Sequence, residues 1–83
     1  MDRAAVTALI DRRIREIAAD KGVETAALVA DTPLFEGALP IDSLDLAALV
    51  VELEVTTGLD PFRNGLIEFH TLGELAALFA VHA

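Results

Sequence analysis

The sequence predicts an all-α fold, a small four-helix bundle of three long helices and one short helix. Apolar residues recur at spacings of three and four in three separate segments, which is the pattern of amphipathic helices. No segment of useful length alternates between apolar and polar residues as a half-buried strand would. A chain of 83 residues suffices for a single small domain, here residues 1–83, with one modest core.

The first helix is predicted to run from Ala4 to about Asp20. Gly22 suits the position just past its end. Charged residues separate the apolar positions of this segment, so one face is expected to be buried. Those apolar positions are Val6, Leu9, Ile10, Ile14, Ile17 and Ala18.

Residues 23–42 are predicted to form a long loop, because Pro33, Gly37 and Pro40 interrupt any long helix. A helical turn is expected from Thr25 to Ala30. A connection of this length is usually functional or held in place by its own side chains. The apolar residues expected to anchor it in the core are Val23, Leu28, Val29, Leu34, Phe35 and Leu39.

The second helix is predicted to begin at Asp42–Ser43 and to end at Gly58. Asp42 followed by Asp45 resembles a capping box, with Asp in place of the usual Glu or Gln. A helix that is apolar on two sides in so small a domain offers one side to a partner. The core side is Leu46, Leu49, Val50 and Leu53, and the surplus apolar side is Leu44, Ala47, Ala48, Val51 and Val55.

The end of the chain is predicted to hold a turn over residues 59–62, a short helical piece or loop over residues 63–69, and a last long helix. Thr71 and Glu74 form the capping box expected to open that helix. Its buried positions are expected to be Leu72, Leu75, Ala76 and Phe79. All four phenylalanines are expected in the core, namely Phe35, Phe62, Phe69 and Phe79.

The net charge of −8 and the pI near 4.4 argue against nucleic acid and anionic membrane surfaces as partners. Residues 1–21 hold five basic side chains against four acids, a charge of +1. Residues 22–83 hold ten acids against Arg63 alone, a charge of −9. We therefore expect a charged partner to be basic and to meet the later part of the chain.

The absence of cysteine excludes a disulfide scaffold and a cysteine-ligated zinc module. His70 and His82 lie twelve residues apart without a paired carboxylate, so no metal site is expected. No apolar run approaches the ~18 residues of a membrane span. We expect a soluble, cytoplasmic monomer.

Ser43 is the candidate functional residue. It opens the second helix directly after the long loop and beside the surplus apolar face. Backbone N–H groups at a helix N-terminus can receive an anion such as a phosphate. At such a position the commoner role is only to cap the helix, and this role is open to both Ser43 and Asp42.

The sequence around Ser43 resembles the attachment site of an acyl carrier protein, whose signature Asp-Ser-Leu opens helix two. Leu53-Glu54, Gly58 and Pro61 are similar to the family's pattern after that signature, as is the entry into the last helix over residues 69–75. The resemblance covers roughly residues 30–80 in motif and the whole chain in architecture. The matching stretch reads Leu39-Pro40-Ile41-Asp42-Ser43-Leu44-Asp45-Leu46.

This resemblance implies a stand-alone, non-catalytic carrier. A phosphopantetheinyl transferase would join 4'-phosphopantetheine to Ser43, between Asp42 and Leu44, and Asp42 and Asp45 would be read by that transferase. Acyl or aminoacyl groups would then be carried as thioesters and exchanged with acyl-loading enzymes, ketosynthases or acyltransferases. The missing cysteine agrees, because the thiol must then arrive with the cofactor.

The predicted partner-binding residues depart from the family's usual acidic pattern on helix two. Asp45 and Glu54 keep the acids, but Ala48 and Val55 stand where carriers of primary fatty-acid synthesis usually have Glu. We therefore expect a carrier of a specialised pathway that docks on the acids Asp45 and Glu54 and the apolar residues Ala47, Ala48, Val51 and Val55.

Two alternatives use the same residues differently. An acidic helical adaptor without a cofactor would bind a basic partner through Leu44, Ala47, Val51 and Val55. A hydrolase with a triad of Ser43, His70 and an aspartate lacks the Gly-x-Ser-x-Gly turn that exposes such a nucleophile, so catalysis is not expected.

Overall fold

A computed structural model describes residues 2–25, 28–35, 39–63, 65 and 68–80. These residues form three α-helices, which are α1 (Arg3–Asp20), α2 (Ser43–Thr57) and α3 (Leu72–Phe79). Within the same ranges the only extended pairing is an isolated antiparallel bridge between Pro33 and Thr71. The predicted all-α class is therefore confirmed.

The predicted count of three long helices and one short one is not confirmed. The last helix was expected to be long, but α3 has only 8 residues because Ala80 is already extended. The described members of the 63–69 segment are not helical, while Asn64, Leu66 and Ile67 lie outside the described residues. No helix in the part of the chain described is long and apolar enough to cross a membrane.

The turn expected from Thr25 to Ala30 is helical at none of its described residues. Its two central residues, Ala26 and Ala27, lie outside the described ranges. Ala30 and Asp31 instead form a turn, which the Thr32 N–H closes by donating to the Val29 carbonyl at 3.0 Å.

Both predicted capping boxes are present, and they fix where α2 and α3 begin. Asp42 caps α2, with Asp45 bonding back to the cap backbone, and Thr71 and Glu74 do the same for α3. The backbone of Gly58 adopts a left-handed conformation with φ of 73° and ends α2 as predicted. The local sequence therefore determines these helix boundaries.

The core lies where the three helices meet, and it contains most of the apolar positions predicted from the spacing, although Ile17 and Val50 are only half-buried. The largest side chains with no more than 1% exposure are Val6, Ile10, Ile14, Leu49, Leu53, Leu72, Leu75 and Phe79. In the long loop, Leu34 is buried, and Leu28 and Leu39 pack partly buried against the core.

Three predicted core residues of the loop are exposed instead. Val23, Val29 and Phe35 have 43%, 60% and 42% of their surface accessible. A loop has no periodicity that assigns its apolar residues to the inside, so the composition overstated the number of anchors. Phe62 and Phe69 are only half-buried, which leaves Phe79 as the fully buried phenylalanine.

The loop holds the start of α3 through backbone hydrogen bonds. The N–H of Leu72 donates to the Thr32 carbonyl at 3.0 Å, and the N–H of Gly73 donates to the Ala30 carbonyl at 2.8 Å. These two amides belong to the first turn, where a helix supplies no partner of its own. At Gly73 the chains are so close that a Cβ would lie 2.9 Å from the Ala30 Cβ and 3.0 Å from its carbonyl oxygen.

We predict that Gly73→Ala destabilises the protein. The same change at an exposed helix position stabilises by about 1 kcal/mol, but here the added methyl has no room. We expect the free energy of unfolding in urea to fall by about 1–3 kcal/mol. Adding Ala30→Gly removes the Cβ contact and should recover part of the loss, whereas a stabilised single variant would contradict this packing.

Candidate functional site

Ser43 is the first residue of α2 and is exposed to solvent. The sequence left open whether Ser43 or Asp42 caps this helix. In the structure Asp42 is the cap, with its Oδ1 accepting from the N–H of Asp45 at 2.8 Å. The hydroxyl of Ser43 is therefore not needed to begin the helix.

Two backbone N–H groups in the first turn of α2 take part neither in the capping box nor in the hydrogen bonds within the helix. The N–H of Asp42 donates to Asp45 Oδ2 at 3.1 Å, and the N–H of Leu46 donates to the Asp42 carbonyl at 3.0 Å. The N–H groups of Ser43 and Leu44 are the remaining first-turn donors. In α3 the loop carbonyls bind the equivalent amides, but no such bond is found for α2 among the described residues. The start of α2 is thus suited to an anion.

Lys21 connects this helix start to the end of α1. It is the C-terminal cap residue of α1, and its Nζ forms an ion pair with Asp45 Oδ2. The same Nζ donates to the Pro40 carbonyl at 2.9 Å. One ammonium group therefore joins α1, the end of the long loop and the first turn of α2.

The ion pair changes the electrostatics beside Ser43. The hydrogen bond from Lys21 holds the pKa of the Asp45 carboxyl below its ordinary value, and the backbone N–H of Asp42 adds to this effect. Asp45 is thus anionic, but its charge is largely balanced by a cation. The sequence does not indicate this role of Lys21, since a lysine just past a helix end does not by itself identify its partner.

The surplus apolar side of α2 is exposed, as predicted. Leu44, Val51 and Val55 have 81%, 56% and 79% of their surface accessible. Ala47 and Ala48 are exposed beside them. Their role in partner binding stays a prediction, but the face is available for it.

An open groove of about 450 Å³ runs along α2 from Ser43 to Glu54. Phe62 and Phe69 form its other wall. Only Ser43 and Glu54 among the lining residues are polar. The lining residues are Ser43, Leu46, Ala47, Val50, Val51, Glu54, Phe62 and Phe69.

The phenylalanines form a connected series that supports the wall of this groove. Phe35 lies against Phe69 with ring centroids 5.8 Å apart, Phe69 against Phe62 at 5.9 Å, and Phe62 against Phe79 at 6.3 Å. The series runs from the exposed ring of Phe35 to the fully buried ring of Phe79. The aromatic residues therefore anchor the groove wall in the core.

Two acids lie together at the far end of the groove. A side-chain hydrogen bond with Asp60 raises the pKa of Glu54, and partial desolvation and the charge of Asp60 raise it further.

Over the residues that the structure describes, no cluster of acids and histidines could hold a metal ion. His70 is exposed there, whereas His82 lies outside the described residues.

Comparison with models of protein families matches residues 12–79 to the family described as the phosphopantetheine attachment site. The chain belongs to this family. Its cofactor is covalently attached 4'-phosphopantetheine, as the sequence predicted, and domains of this family are non-catalytic carriers. No curated protein and no solved structure matches the chain.

The start of α2 has the chemistry that a phosphopantetheine phosphate requires. It offers an exposed hydroxyl on Ser43, two adjacent backbone donors and a carboxylate that Lys21 already balances. An apolar groove begins at the same residue. When bound, the cofactor supplies the thiol that this cysteine-free chain lacks.

We predict that Lys21→Met raises the pKa of Asp45. By NMR titration the carboxyl of the unmodified protein should titrate below the ordinary value of about 3.9, and in the variant it should move toward that value. Because the folded-state pKa is depressed, the ion pair stabilises the fold above about pH 4 and this contribution is lost as the pH falls through the folded-state value. Lys21→Arg keeps the cation and should keep the low pKa. An unchanged midpoint in Lys21→Met would show that another group causes the shift.

Proposed function

We propose that the chain is an acyl carrier protein that tethers acyl intermediates as thioesters on a phosphopantetheine arm attached to Ser43. One observation carries the assignment of the residue. Ser43 is the only serine in the 83 residues. In the family that the sequence resembles, the arm is attached to the serine of the signature Asp-Ser-Leu. The same residue is exposed at the start of α2.

The local electrostatics support a phosphodiester on Ser43. A phosphodiester adds one negative charge near the carboxylates of Asp42 and Asp45. The helix N-terminus favours that charge, and the ammonium of Lys21 offsets the repulsion from Asp45. Both carboxylates are also held in the capping box, where they accept backbone N–H groups.

The groove supports an acyl cargo in preference to a polar aminoacyl one. It starts at the proposed attachment residue and is lined by aliphatic and aromatic side chains as far as Glu54. An apolar chain that leaves water for such a groove gains about 25 cal/mol for each Å² buried. A small polar cargo gains little from the same surface.

The composition of α2 supports a specialised pathway over primary fatty-acid synthesis. Ala48 and Val55 stand where the resemblance leads us to expect glutamates, and both are exposed. A partner adapted to an acidic helix would find fewer charges on this side. We propose transferases, ketosynthases or acyltransferases of a specialised pathway, such as polyketide synthesis, as the enzymes that load and use the arm.

We predict that a broad-specificity phosphopantetheinyl transferase and coenzyme A add one phosphopantetheine to the purified protein. Intact mass spectrometry measures the gain, and Ser43→Ala should abolish it because no other serine is present. Thr56→Ala is the matched control, since it removes an exposed hydroxyl from the same helix and should leave the gain intact.

No gain of mass, under conditions that modify a control carrier, would defeat the proposed attachment. The acidic adaptor without a cofactor would then describe the chain better. A gain of mass that survives Ser43→Ala would keep the carrier function but move the attachment to another residue.

We predict that the acyl-loaded protein is a poor substrate for a ketosynthase of primary fatty-acid synthesis. We expect kcat/KM at least about tenfold below that of the ketosynthase's own carrier with the same acyl group, mainly through a higher KM, because electrostatic steering is weaker. Equal kcat/KM values for the two carriers would argue for a role in primary synthesis.

A further inference from the structure

Two of the three acids of α2 are paired with basic groups inside the domain, while the third, Glu54, lies beside Asp60. Asp45 pairs with Lys21, and Glu52 pairs with Arg13. Both bases belong to α1 or its cap. The four residues lie on the surface of the molecule, with 25–39% of each side chain accessible.

The spacing of the two ion pairs places both of them along the same interface between α1 and α2. Arg13 and Lys21 are eight residues apart along α1, and Asp45 and Glu52 are seven residues apart along α2. At ~1.5 Å per residue these separations are about 12 Å and 10.5 Å. Because α1 and α2 run antiparallel, both pairs close across the same helix interface.

Apart from Ser43 and Thr56, the exposed residues of α2 are apolar. Leu44, Ala47, Val51 and Val55 follow one another at steps of three and four and form one stripe beside Ser43. The stripe runs 11 steps along the helix from Leu44 to Val55, which is ~16 Å at ~1.5 Å per residue. The net charge of −8 is therefore a poor guide to this face, because two acids are balanced by α1 and the stripe itself is uncharged.

We propose that Arg13 and Lys21 are specificity-determining residues that withdraw Glu52 and Asp45 from docking, so that α2 selects a partner enzyme with an apolar contact surface over one with a basic patch. This inference rests on the proposed function in one respect, namely that the partner enzyme binds next to Ser43 because it must reach the arm. Its chemical basis is charge complementarity. A basic patch on this face would lose its own hydration and meet carboxylates that are already paired.

The first test uses a ketosynthase of primary fatty-acid synthesis, which carries a basic docking patch, as the probe. Its affinity is measured for the protein in the Ser43→Ala background, so the result does not depend on the arm. Arg13→Gln with Lys21→Gln frees both carboxylates. We expect the double variant to bind at least about tenfold more tightly at low salt, and this gain to disappear near ~0.5 M salt.

The inference is overturned if the double variant binds no more tightly than its parent, or if the gain persists at high salt. Should the double variant not fold, Ala48→Glu with Val55→Glu adds two acids to exposed positions of α2 without changing α1. This second variant should give the same salt-sensitive gain, and no gain would overturn the inference equally.

The second test measures how much the apolar stripe contributes to recognition by a broad-specificity phosphopantetheinyl transferase. Val51→Asp should raise the KM for the carrier about tenfold with little change in kcat, because the new carboxylate must be desolvated at the contact. Val29→Asp is the matched control, since Val29 is an equally exposed valine outside α2, with 60% accessible against 56%. Equal KM values for the two variants would overturn the role of the stripe. If the unmutated protein gained no mass with the transferase, the proposed function would fail instead.

Discussion

The ion pair between Lys21 and Asp45 is the interaction on which the candidate site depends. It brings the end of α1 to the start of α2, and the same ammonium holds the loop at the Pro40 carbonyl. Asp45 is also half of the capping box that begins α2. The capping box sets where α2 begins, and the Lys21 contact links that helix start to α1 and balances one of the carboxylates near Ser43.

The long loop has a structural role at the other end of the domain. Its carbonyls bind the first-turn amides of α3 at Leu72 and Gly73, which leaves that helix start closed. At α2 the equivalent amides, those of Ser43 and Leu44, are bound neither by the capping box nor by the helix ladder. Two helices that begin with the same kind of capping box thus differ in what can bind at their starts. The difference lies in where the loop passes.

The sequence predicted the features that arise from neighbouring residues. Both capping boxes, the stop at Gly58 and the apolar faces follow from local spacing, and the structure has them. The length of α3 was wrong because no Gly or Pro marks its end, and Phe35 was wrongly assigned to the core because a loop has no periodicity. The pairs of Lys21 and Arg13 depend on the register between two helices, which spacing within one helix cannot give. They also alter the meaning of the +1 charge of residues 1–21, whose bases partly serve to balance α2.

Ser43 is proposed to carry an arm whose cargo is an acyl group. Tandem mass spectrometry of the protein isolated from its own cells tests it most directly, because it reads the modified residue and the mass on the thiol together. We expect phosphopantetheine on the peptide that contains Ser43, with an acyl group on a fraction of the molecules. A protein that is unmodified in its own cells, or an arm on any other residue, would contradict it.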